Sequence, residues 1–93
     1  MSKGKKCTSK ECRRFERSQA AHRVLAESNR KKSHSAKSDS AYMSYYIRSS
    51  YHKDVAECQS HIGRVLTKTE RKKAFSYEKK TNGNVDLRFA FKK

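Results

Sequence analysis

Residues 39–66 read DSAYMSYYIRSSYHKDVAECQSHIGRVL, and this stretch decides the fold. Met43, Ile47, Tyr51, Val55, Cys58, Ile62, Val65 and Leu66 advance by three or four residues almost without exception. That is the spacing at which side chains share one face of an α-helix. Asp39 or Ser40 suits the N-cap, where a short polar side chain accepts a bond from an amide the helix leaves free. The spacing therefore predicts a helix from about residue 40 to Leu66, on the order of 40 Å long at 1.5 Å per residue. A stripe of this length, marked by Ile47, Tyr51, Val55 and Ile62, is longer than one neighbouring helix covers, so a protein partner or self-association is expected along it.

Upstream, residues 28–40 read SNRKKSHSAKSDS, with five serines and no large apolar side chain. This composition predicts a flexible Ser/Lys linker over 30–40. Before it, Thr8-Ser9-Lys10-Glu11 has the form of a capping box, from which a first helix runs to about Ser28 or Asn29. At 100° per residue Lys10, Arg13, Arg14 and Arg17 gather on one face, while Cys12, Phe15, His22, Leu25 and Ala26 make a thin apolar stripe opposite.

Downstream, Thr67-Lys68-Thr69-Glu70 repeats the capping-box pattern. The period then changes: Phe75 and Tyr77 alternate with polar residues, as do Val85, Leu87, Phe89 and Phe91, with Asn82-Gly83 between them. Alternation around a turn dipeptide predicts a β-hairpin. A three-residue loop Thr81-Asn82-Gly83 sets Tyr77 opposite Leu87 and Phe75 opposite Phe89 on one face. The rival is that 70–80 stays helical and only 85–91 is a strand. The expected fold is mainly α, with a C-terminal β-hairpin or strand, partly disordered when free. It divides into a basic arm and arginine-rich helix (1–29), the linker (30–40), and the long helix with the hairpin (41–93).

The chain carries 24 Lys and Arg against nine Asp and Glu, a formal charge of +15 on 93 residues. Residues 1–40 hold 12 basic and 4 acidic side chains, and residues 41–93 hold 12 and 5, so the excess is no mere tail. Such a chain repels itself unless a polyanion is near, which points to nucleic acid. With 33% apolar residues and a mean hydropathy of −1.16, little core is available to wall a deep pocket. No P-loop, nucleophile elbow, paired-carboxylate or dinucleotide motif is present, and the expectation is a protein that is not an enzyme. MSKGKK runs into CTSKECRRFER rather than into an apolar stretch, and no span approaches membrane length. The expected setting is intracellular and cytoplasmic, away from membranes.

The residues expected to meet nucleic acid are Lys10, Arg13, Arg14 and Arg17, whose guanidinium forks match phosphates and grooves. Lys31 and Lys32 of the linker join them. On the back of the second helix and beyond it, Tyr46, Lys53, Arg64, Lys68 and Arg71 pair an aromatic ring with cations, a combination that stacks on bases.

Arg13-Arg14-Phe15-Glu16-Arg17 resembles the arginine-rich RNA-binding helices of the N-type transcription antitermination proteins of lambdoid phages. Tyr51-His52-Lys53 and Glu70-Arg71-Lys72 look like two further elements of one such protein, although their separation differs by about two helical turns. The resemblance covers about a third of the chain. It implies a small basic protein, poorly folded when free, whose arginine helix grips a hairpin in a nascent transcript, and it favours RNA over DNA. The alternatives are a DNA-binding or architectural protein, and an inhibitor directed at an acidic protein surface.

Three cysteines are an odd number, and in a reducing compartment thiols or metal ligands are expected before disulfides. Cys7, Cys12, Cys58 and His61 together form a candidate structural zinc site that ties the two helices, since Cys58 and His61 stand three apart on one helical face. Against this, Cys58 lies within the apolar stripe, where a buried thiol needs no metal.

Overall fold

The computed structural model describes residues 9–92. Three helices follow one another: α1 (Lys10–His34), α2 (Asp39–Ile62) and α3 (Lys68–Thr81). Ser9 caps α1, its Oγ accepting from the Cys12 amide at 3.0 Å; Thr8 lies outside the described residues. The helix does not stop at Asn29. Its Asn29 and Ser33 side chains donate to the Leu25 and Arg30 carbonyls at 2.8 and 2.6 Å, so both polar groups are satisfied within the helix. Lys31, Lys32 and His34 in the last turn complement the helix dipole. The connection to α2 is thereby reduced to residues 35–38, and Ser38 is the cap, accepting from the Ala41 amide at 3.1 Å.

So short a connection turns α2 back antiparallel to α1. The seam between them is polar. Phe15, Ser18, His22, Ala26, Asn29 and Ser33 face α2 at spacings of three and four, whereas Val24 and Leu25 remain 66% and 43% exposed. Ser49 Oγ donates to the Ala26 carbonyl at 2.7 Å. Gln59, fully buried, donates to Ser18 Oγ and Gln19 Oε1 at 3.1 and 2.9 Å and accepts from the Leu66 amide at 3.0 Å. One amide thus fastens α1, α2 and the turn into α3.

The apolar core lies on the other face of α2. Val55, Cys58, Ile62, Leu66, Ala74 and Leu87 are buried together, with Tyr51, Val85 and Phe91 packed at the edge. The stripe read along α2 is buried across Val55 to Ile62 by α3 and the C-terminal segment. The helix ends earlier than its spacing suggests, at Gly63 in the left-handed region (φ 78°), which lets Leu66 fold back into the core.

The β-hairpin is not formed, and there is no strand among the described residues. The second capping box is formed instead: Thr67 Oγ1 accepts from the Glu70 amide at 3.2 Å and Glu70 Oε1 from the Thr67 amide at 2.8 Å. It starts α3 in a run of Lys, Glu, Arg and Ala, all good helix formers. The face turned inward is Arg71, Ala74, Phe75 and Glu78, a helical period, and Tyr77 points outward. Asn82 and Gly83 close α3 in left-handed conformations (φ 54° and 84°) rather than turning a hairpin. Beyond them only Leu87 enters the core, while Phe89 is 74% exposed.

Candidate nucleic-acid interface

The turn at Gly63 sets α3 across α2 and opens a cleft of about 520 Å³ lined by Arg48, Tyr51, His52, Lys68, Arg71, Lys72 and Phe75. Four cations and three rings line it, and no carboxylate does. A second hollow of similar size continues it past Met43, Ile47 and Lys79, sharing Arg48 and Phe75. Lys79 Nζ stands 5.2 Å from the Phe75 ring centroid. Ion pairs among the described residues are Arg30–Glu27, Arg64–Glu70 and Arg88–Asp86, so none neutralises the cleft.

The rings hold one another. Tyr51 meets Phe75 edge-on at 5.3 Å and His52 at 4.8 Å. His22 of α1 pairs with His52, its Nδ1 lying 2.9 Å from His52 Nδ1. Burial and the neighbouring His22 push His52 down to about 4; burial and the Arg71 charge lower His22, and burial raises the Tyr51 hydroxyl. Arg71 is anchored by donating to the Leu66 carbonyl at 2.7 Å.

The expected arginine face is present. Lys10, Arg13, Arg14 and Arg17 are all exposed on α1 and border one shallow hollow with Glu11. Arg14 also borders a hollow of about 640 Å³ that reaches Arg64, Leu66 and Thr67, which brings the arginine face up to the start of α3. Lys31 and Lys32 are exposed at the far end of α1, where Lys32 and Arg48 flank the Tyr45 ring at 5.9 and 6.0 Å.

The other expected contacts divide. Lys68 and Arg71 are in the cleft. Lys53 is on the opposite side of α2, among Arg23, Glu27, Arg30 and Glu57. Tyr46 stacks on Tyr42 at 6.1 Å and lies under Gly83 rather than in the cleft. Arg64 is committed within the chain: it grips Glu70 through two bonds of 2.7 Å and donates to the Lys92 carbonyl, holding Glu70 down at about 2. Arg48, His22, His52, Lys72 and Phe75 were not singled out as contacts from the sequence. Tyr51-His52 and Arg71-Lys72, read as separate elements, meet here, while Lys53 and Glu70 turn away.

The acids collect elsewhere. Burial and the neighbouring Glu57 and Asp86 raise Asp54, and burial beside Asp54 pushes Glu78 up to about 9. Among the described residues no three His, Cys, Asp or Glu are placed to hold a metal ion. Cys58 is buried in the core and its thiol is pushed up by that burial. Cys12 is disulfide-bonded, contrary to the expectation of a thiol ligand, and an oxidised sulfur offers no thiolate. His61 lies 4.9 Å from the Phe89 ring, and Cys7 lies outside the described residues. No described helix is long and apolar enough to cross a membrane.

Compared with known proteins, the chain matches no protein-family model, no curated protein and no solved structure.

Proposed function

We propose that the chain is a non-catalytic nucleic-acid-binding regulator that takes structured RNA, with phosphates on the cleft cations and unpaired bases against its rings. The observation that carries the proposal is the cleft lined by Arg48, Lys68, Arg71 and Lys72 around Tyr51, His52 and Phe75, without a carboxylate. An ordinary solvated face intersperses both signs; here the acids are sorted away. Cations beside rings fit phosphate and base together, and unpaired nucleotides in RNA loops offer both. The arginine face of α1 supports the same reading, since Arg13-Arg14-Phe15-Glu16-Arg17 is helical and its cations are exposed. The finer form of the proposal is that the RNA is a hairpin in a nascent transcript, as the resemblance implies.

The test is equilibrium binding of the chain to an RNA hairpin, a DNA duplex and single strands over a salt series. Four neutralised phosphates give a slope of log K against log salt of about −3 to −4. The hairpin is expected to bind tightest. A slope near zero overturns nucleic-acid binding, and preference for the duplex overturns the choice of RNA.

A further inference from the structure

The pairing of His22 with His52 has no counterpart in the simple electrostatic reading of the cleft. Two imidazoles from different helices meet through their Nδ1 atoms at 2.9 Å, so one Nδ1–H donates to the other's lone pair and the accepting ring is neutral. The charged groups that line the cleft with His52 are all of one sign: Arg48 from α2, and Lys68, Arg71 and Lys72 from α3, with Tyr51 as the polar neighbour and His22 the titratable group from α1. A histidine pair kept charged is normally braced by a carboxylate. Here none lines the cleft, and burial, with the Arg71 charge on His22, lowers both imidazoles.

We propose that His22, His52 and Arg71 form a phosphoryl-binding subsite in which the arriving anion brings one proton onto the imidazole pair. The inference rests on the nucleic-acid reading and deepens it by assigning the phosphate position and its proton linkage. A phosphate oxygen supplies the negative charge the pair lacks, so the pair is more basic when bound than when free. Desolvation of both rings, and the Arg71 charge on His22, lower both in the free protein. The sign follows. Binding is tightest at low pH and weakens as pH rises from the free-state value to the bound-state value, by up to about tenfold per unit in that window, and levels off above it.

The experiment is calorimetric titration of the full chain with an RNA hairpin, at pH 6.5 and fixed ionic strength, in two buffers of different ionisation enthalpy. Inorganic phosphate as titrant forms a second arm. The expected result is uptake approaching one proton per RNA, retained in His34→Gln and His61→Gln and lost in His22→Gln or His52→Gln. Imidazole NMR titration of the unmutated chain, with and without RNA, assigns the same proton should either pair variant fail to fold. RNA binding with no proton uptake, or with uptake that resides on another histidine, overturns the subsite and leaves the nucleic-acid reading standing. Phosphate binding with uptake but no RNA binding supports the subsite and overturns that reading. Absence of both overturns both.

Discussion

Glu78 offers the sharpest test of how the fold is held. Its carboxyl group is fully buried between α2 and α3, against the Asp54 carboxyl group. Burial beside Asp54 pushes it up to about 9, so at neutral pH it is protonated in the folded chain and ionised in the unfolded one. Because the folded value is raised, the penalty is absent below the unfolded value near 4.5 and grows until pH passes about 9. The limiting slope is about 1.4 kcal/mol per pH unit. Relaxation and water penetration reduce it, so the expected loss between pH 5 and 8 is about 2–4 kcal/mol. Glu78→Gln keeps the shape and removes the titration. At pH 5 the two proteins should melt at similar temperatures, whereas at pH 8 the variant should lead by about 10 °C or more. Thermal unfolding followed by circular dichroism across that range decides it. If the wild type does not lose stability relative to Glu78→Gln as pH rises, the buried neutral acid is wrong.

Gln59→Ala removes three bonds at once and leaves the Leu66 amide unpaired in the core, so urea denaturation should show a loss of about 3 kcal/mol. At Gly83 an added Cβ meets Ser50 Oγ and Tyr46 Cε2 at 2.9 Å, while at Gly63 it meets open space; both have positive φ. Gly83→Ala should therefore cost about 2–4 kcal/mol and Gly63→Ala about 1, and equal costs would contradict the close approach of the α3 C-terminus to α2. Glu70→Gln keeps an acceptor for the capping box and removes the charge that the Arg64 fork grips. Since Glu70 is held at about 2, its contribution is present above the unfolded value and fades as pH falls toward 2. Partial exposure of the pair limits the loss at pH 7 to about 1–2 kcal/mol, and it should vanish in acid.

The legible parts of the fold were those with a simple period or a cap. The α2 stripe and the Thr67–Glu70 box could be read directly, because apolar spacing and hydroxyl–acid pairs act locally. Phe75 and Tyr77 misled because alternation looks like a strand, whereas the inward face of α3 includes Glu78, and an acid in the core is invisible to any apolar pattern. The α1 seam was missed for a related reason: Ser18, Gln19 and His22 dock through hydrogen bonds rather than bulk, and the buried Asn29 and Ser33 are satisfied within α1. In the candidate interface, Lys68 and Arg71 were recognised by charge alone. Arg48 and Lys72 could not be joined to them in advance, since their meeting depends on the angle that Gly63 to Leu66 gives α3. Arg64 had the right charge but the wrong surroundings, because the carboxylate that caps α3 also engages it.

The central claim is that the cleft, and not the bulk charge, binds nucleic acid. Two triple variants that remove equal charge separate these: Arg48→Ala/Lys68→Ala/Lys72→Ala in the cleft, and Arg23→Ala/Arg30→Ala/Lys53→Ala on the opposite side. Arg71 is spared because it also holds the Leu66 carbonyl. The most direct measurement is the RNA-hairpin dissociation constant of each over a salt series. Loss of three phosphate contacts from the cleft should weaken binding about 100-fold at 0.1 M salt and flatten the log–log slope by about 2–3, with a much smaller change for the control. Equal weakening by both variants would contradict the account.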